Sequence, residues 1–476
     1  MQQPGNALFF IVSVMMIGSC SQNTAHMKEE LTSCYNDFRF QEALQLIDSM
    51  EDAGEKSYKV DSMADYIQRY YKEYPYTEED VQDQIRERGV TVNGDQMAQW
   101  EEEGHLEFKV IDGEKRYFKN AVYNLFLLED SLRELSGSEG LNEDSLNRFC
   151  VDHIRRVLTE LDSGGIPGKL HPAEMILNYQ VKVDSGAVPP GAEIAAWLPF
   201  GVRNHDSRKS VKLVRSRPES SKISPADCAH QSLYLEQSMP EVGSAVFSSM
   251  ISLTTHARYV EPHILEKVRF GELPDSVHAY AGERGPHILF TDEVRHLADS
   301  LVTQDMSPYE MVKQFYFWVN DHIPWASAVE YGLMDNIPLY TLEHGHGDCG
   351  MQTLLFMTLC RYKGIPARWQ SGWMLHPGHV NLHDWCEVWY EDVGWVPVDV
   401  SFKLQKSDDP RVREFYITGI DAFRFVVNKD YGREFCPEKQ WPRSEPWDFQ
   451  RGELEWAGGN LYFDLWSWDM EVKYIR

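Results

Sequence analysis

Residues 347–366 read Gly-Asp-Cys-Gly-Met-Gln-Thr-Leu-Leu-Phe-Met-Thr-Leu-Cys-Arg-Tyr-Lys-Gly-Ile-Pro. From Met351 to Lys363 the stretch is apolar nearly all the way round, with Leu354, Leu355, Phe356, Met357, Leu359 and Cys360. A helix of that kind is buried in the middle of a domain. Gly364 ends it, and Pro366 two residues later prevents its resumption. Cys349 therefore stands at the N-terminus of a central helix, where unpaired N–H groups and the positive end of the dipole favour a thiolate. The same N–H groups suit the oxyanion formed when sulfur attacks a carbonyl. Asp348 is read as the helix cap, because a negative charge beside Cys349 opposes the thiolate.

Downstream, His383-Asp384-Trp385-Cys386-Glu387-Val388-Trp389-Tyr390 alternates as a strand, with His383, Trp385, Glu387 and Trp389 on one face. A turn at 391–394 leads into Trp395-Val396-Pro397-Val398-Asp399-Val400. Pairing Tyr390 with Trp395 leaves His383 and Asp399 three residues out of step, roughly 10 Å at about 3.3 Å per residue. A bulge near Pro397 or a bent approach of His383 is then needed to bring them together.

These three blocks, 347–368, 383–388 and 394–399, resemble in order the transglutaminase-like branch of the papain-like cysteine enzymes. The resemblance implies an α+β domain from about Asp292 to the C-terminus, its nucleophile opening a central helix packed on an antiparallel sheet. It implies Cys349 as nucleophile, His383 as general base and then acid, and Asp399 as the carboxylate that fixes the imidazole. A Trp often stands near the oxyanion in this family, and Trp325 is the candidate.

Other residues of this region have plainer readings. His376, His379 and His383 with Cys349 could suggest zinc, but Pro377-Gly378 breaks any helix that would align them, and neither metal nor cofactor is expected. His344 and His346 are taken as loop residues lining the cleft, and Glu387 and Arg368 as structural contacts. Trp369, Trp373, Trp385, Trp389 and Trp395 divide between walls of a substrate groove and plain packing. Cys360 and Cys386 read as small core residues, and Cys34, Cys150, Cys228 and Cys436 as candidates for disulfides of undetermined pairing. Helices are expected from Asp292 and after Ser307-Pro308.

Upstream, Gly164 to Gly168 reads as a linker. After it, 175–183, 194–198, 211–214, 233–235 and 246–260 are short β-type segments, which suggests a β-sandwich-like domain over 166–275. Residues 20–165 read as α-rich, with a capping signal at 77–80 and a hairpin around Asp112-Gly113. Helix, turn, helix and hairpin in that order give a winged-helix outline. The fold class is thus multidomain α+β, with a catalytic domain at 280–476.

Ala7 to Gly18 is an apolar run of about a dozen residues, the length of a secretory signal core and short for a membrane span. It ends in Ile17-Gly18-Ser19-Cys20, which resembles a bacterial lipoprotein signal, with residues 1–19 removed and Cys20 lipidated; an ordinary signal peptide is the alternative. Either reading exports the protein, and the lipoprotein reading places it in the cell envelope, facing the periplasm or the surface. The 476 residues carry 46 Lys+Arg and 74 Asp+Glu, a net charge of −28. That balance argues against nucleic acid as a partner and makes a lipid, rather than a basic patch, the means of holding a membrane. The expected partner is a peptide or protein substrate, attacked at an amide with hydrolysis favoured over amine transfer. The alternatives are a true transamidase and a binding or scaffolding lipoprotein with a vestigial triad.

Overall fold

The computed structural model describes residues 26–54, 58–133, 139–203 and 208–475. The expected signal and Cys20 lie outside them. Among the described residues no helix is long and apolar enough to cross a membrane. The chain divides into two compact units, residues 1–129 and 130–476.

In the first unit, helices Phe40–Asp52, Tyr58–Glu73, Glu78–Glu87 and Gly94–Glu102 precede a hairpin of β1 (Phe108–Ile111) and β2 (Glu114–Tyr117), then helix Ala121–Leu128. Phe40, Ala43, Ile47 and Met50 are buried along one helix, as their spacing requires. Thr77 and Asp80 form a capping box. The hairpin turns through Asp112 and Gly113, both at positive φ, the conformation a two-residue primed turn demands.

The second unit opens with the short helix Asp130–Arg133 and helix Glu139–Asp162 and continues through β3 (Leu170–Val183), β4 (Glu193–Pro199), β5 (Arg208–Arg217), β6 (Ser221–Ile223), β7 (Ser232–Ser238) and β8 (Val246–Tyr259). The later strands are β9 (Ala367–His376), β10 (His379–Tyr390), β11 (Gly394–Val398), β12 (Gly419–Ile420), β13 (Arg424–Asn428), β14 (Glu453–Trp456), β15 (Gly459–Leu461) and β16 (Trp466–Tyr474). They make three antiparallel sheets. One runs β11-β10-β9-β13; one runs β12-β8-β3-β16, with β5 also on β8; one runs β15-β14-β4-β7-β6. The two five-stranded sheets thus combine strands from 170–259 with strands from the tail.

The helix that decides the fold, Cys349–Tyr362, is buried continuously from Gly350 to Arg361. It packs on β9 and β10 and against helices Pro308–His322 and Ile337–His344. Ser307 and Glu310 form the capping box that starts the first of these. Gly364, at φ +75°, turns the chain out of the buried helix and into β9.

Candidate active site

Asp348 caps the helix: its Oδ1 accepts a hydrogen bond from Met351 N at 3.0 Å and another from the Tyr331 hydroxyl at 2.5 Å. Cys349 follows as the first helical residue. Just before it, Gly347 N donates to Pro324 O at 3.1 Å and Ala326 N to Gly347 O at 3.2 Å. This backbone pairing sets Trp325, 38% exposed, beside the helix start.

β10 and β11 pair Tyr390 with Gly394, Trp389 with Trp395 and Cys386 with Val398, without a register shift. The expected Tyr390–Trp395 pairing is therefore corrected by one residue, because the loop holds three residues and Asp392 carries a positive φ. Continuing that register sets Asp399 opposite Trp385, on the same face as His383 and two positions along. A diagonal pair of that kind lies within side-chain reach, so no bulge is needed. His383 Nε2 stands 2.9 Å from Asp399 Oδ2. Because the carboxylate accepts, Nε2 carries the proton and Nδ1 keeps the lone pair that can receive another.

Asp399 is fully buried and held from several sides. Its Oδ2 also accepts from Arg424 Nη2 at 2.9 Å and its Oδ1 from Phe402 N at 3.2 Å. Burial alone would raise this carboxyl, but His383 and Arg424 outweigh it and hold it below the usual carboxylate range. Arg424 reaches Asp421 as well, at 2.9 Å, and His376 Nε2 lies 3.2 Å from Asp421 Oδ1.

The thiol environment differs from the expectation. Cys349 Sγ donates to Asp384 Oδ2 at 3.3 Å. Burial, then the charges of Asp384 and Asp348, push the thiol well above its ordinary value. The helix N-terminus does favour the thiolate, but a field worth about 0.3–1 kcal/mol is smaller than the cost of a buried anion beside two carboxyls. Asp384 was not singled out from the sequence. The signal was its place after His383 on the alternate face of the strand, which turns it toward the helix start.

Cys349 and His383 line one cavity of about 350 Å³. Its other walls include Trp325, Asn381, Leu146, Asn147 and Cys150 from helix Glu139–Asp162, and residues 401–406. Asn147 Nδ2 donates to Gln405 Oε1 at 3.4 Å, and Ser145 Oγ lies 2.7 Å from His379 Nε2. This helix carried no sequence signal for a place beside the nucleophile. The lining includes Lys403 and Lys406 and, among the described residues, no carboxylate. Of the five tryptophans expected to divide between groove walls and packing, none lines it: Trp369, Trp373 and Trp385 are buried, and Trp389 and Trp395 meet edge to face at 5.5 Å. His344 and His346 are absent from its walls too; His344 Nδ1 bonds Tyr340 O and His346 is buried.

His376, His379 and His383 go to separate partners, Asp421, Ser145 and Asp399. Glu387 is buried between Arg258 and Arg368, at 2.7 and 2.6 Å, with Gln370 also donating to it. Cys360 and Cys386 are core residues. Cys228 and Cys436 form a disulfide, while Cys34 and Cys150 are free and buried.

Residues 295–400 match the family model of the transglutaminase-like superfamily, and the chain carries a transglutaminase-like domain there. No curated protein matches the chain. Among solved structures, the chain is similar to a candidate cysteine protease from Cytophaga hutchinsonii, with 14% identity and TM-score 0.43 over 65% of this chain and 92% of that one. It is also similar to the periplasmic domain of TgpA from Pseudomonas aeruginosa, with 15% identity and TM-score 0.27 over 48% and 88%. A candidate protease from Parabacteroides distasonis has 9% identity and TM-score 0.22 over 52% and 47%.

Proposed function

We propose that the second unit is an exported cysteine amidase of transglutaminase-like type acting on peptide or peptide-like amides. The observation that carries this reading is the His383–Asp399 pair at 2.9 Å, with His383 lining the cavity that Cys349 also lines. Cys349 sulfur attacks the amide carbonyl as its proton passes to His383 Nδ1. The C–N bond of the tetrahedral intermediate breaks, and the imidazolium gives that proton to the leaving amine, which leaves a thioester. His383 then deprotonates a water that hydrolyses the thioester and regenerates the thiol. Asp399, fixed by Arg424, orients the imidazole and stabilises its cation. The Cys349 backbone N–H at the helix start, with Trp325 beside it, holds the oxyanion. Hydrolysis is favoured over amine transfer because water is the acceptor at hand. Export and attachment through Cys20 belong to the same proposal and rest on residues 7–20.

The thiol's bond to Asp384 favours a second reading, a binding or scaffolding lipoprotein whose triad is unused. Labelling with a thiol-reactive amide mimic separates the two. Wild-type labelling that disappears in Cys349→Ala supports the enzyme; a wild-type chain that never labels, or a variant that labels equally, overturns it. Tagged-amine incorporation measured against free-acid release then separates transfer from hydrolysis.

A further inference from the structure

We infer that Asp384 is a positioning residue for the nucleophile: it holds the Cys349 thiol on the buried side of the helix start, and the thiol passes from Asp384 to His383 by rotation about its own Cα–Cβ bond. This rests on Cys349 being the nucleophile. His383 and Asp384 are consecutive on β10, so their side chains leave the strand on opposite faces. His383 opens into the cavity while Asp384 is 2% exposed. A thiol bonded to Asp384 Oδ2 at 3.3 Å is therefore turned away from the imidazole.

The carboxyl is itself built in. Gln450 Nε2 donates to Asp384 Oδ1 at 2.6 Å and to the carbonyl oxygen of His383 at 2.9 Å, so one amide fixes both consecutive residues. The space is kept open at Gly350, where a Cβ would stand 2.7 Å from Asp384 Oδ2 and 2.0 Å from the Tyr331 hydroxyl. Asp348 at the helix start, Asp448 from the tail, Asp399 and Cys349 itself are the titratable groups that act on it. Burial, then Asp448 and Asp348, raises the Asp384 carboxyl well above its ordinary value. Ionising the thiol in this position adds a further negative charge to a buried acidic cluster, so the resting thiol stays protonated. Rotation to His383 removes the sulfur from that cluster and gives its proton a base.

The test follows iodoacetamide alkylation of Cys349 in the full chain from pH 6 to 10, read by peptide mass spectrometry with Cys349→Ala as control. Asp384→Asn and Asp384→Ala are expected to label about tenfold faster at pH 7, with a profile moved to lower pH by one unit or more. Gln450→Ala, which loosens the carboxyl without removing it, is expected to fall between them and wild type. It also serves as the variant of record if substitution of Asp384 prevents folding, as judged by circular dichroism. Variants that label at the wild-type rate across the whole pH range overturn the inference and leave the nucleophile reading standing. A thiol silent in wild type at every pH, even if labelled in Asp384→Ala, overturns the nucleophile reading and the inference that rests on it. Silence in every variant overturns both.

Discussion

At the residue scale the second unit is distinguished by carboxyl groups held away from their ordinary titration. Burial and the charge of Glu330 push Glu445 up to about 8. In the unfolded chain the same group loses its proton near pH 4.3. Between those values the folded state binds the extra proton, so its stabilising contribution is full below about pH 4 and is lost as pH rises toward 8. Glu445→Gln is expected to remove a decline of up to about 1.4 kcal/mol per pH unit across that window. Urea unfolding of variant and wild type at pH 5, 6, 7 and 8 measures it, and parallel stability profiles would rule it out. The place of Cys349 at the start of a buried helix was legible in the local pattern, whereas the contact of His383 with Asp399 was implied by the family resemblance and opposed by the register as read. Asp384 was not legible. Its importance depends on which way one thiol points and on Asp448 and Gln450, which arrive from more than sixty positions away.

At the element scale β9 is the strand on which the site hangs. Gly372 stands opposite His383 on one side and Val426 on the other. A Cβ there would lie 2.0 Å from Phe425 O and 2.9 Å from Val427 N, backbone atoms that cannot swing aside. Replacing Gly by Ala in a strand usually recovers roughly 0.5–1 kcal/mol of backbone entropy, but overpacking at this distance costs about 1–3 kcal/mol or more and should win. Gly372→Ala is expected to lower the melting temperature and slow Cys349 labelling. Gly378→Ala is the comparison: its φ is +81°, nothing lies within 4 Å of the added Cβ, and the loss should be about 1 kcal/mol. Equal losses in thermal melts of the two variants would refute the steric account. The apolar helix and the alternating strands were readable because burial imposes their periods. The register was misread by one residue, because Asp392 adopts a left-handed conformation that its type tolerates without requiring it.

At the scale of the whole molecule, the tail completes both five-stranded sheets. β14 pairs with β4, and β16 pairs with β3 from Trp466–Val183 to Tyr474–Met175. Little in the tail announces this. β14 buries Glu453 and Glu455, which accept backbone N–H groups from Gln440, Trp441, Ser444 and Glu445, so its polar interior hides the strand pattern. β16 alternates in burial, yet no local feature names a partner almost three hundred residues upstream. A chain ending at Leu465 leaves β3 as an unpaired edge. It is expected to lose cooperative thermal unfolding of the second unit and to aggregate on size-exclusion chromatography; a truncated chain that melts like the full one would refute this.

The same pairing sets a timetable. Synthesis runs from the N-terminus, so Cys349, His383 and Asp399 are all made before Asp448 and Gln450, and β16 is made after both. The segment 170–183 must wait for β16 before its sheet can close, a contact of long sequence separation and therefore slow to form. Residues 349–399 are thus all made before β14 and β16, the strands from the tail that complete the two five-stranded sheets.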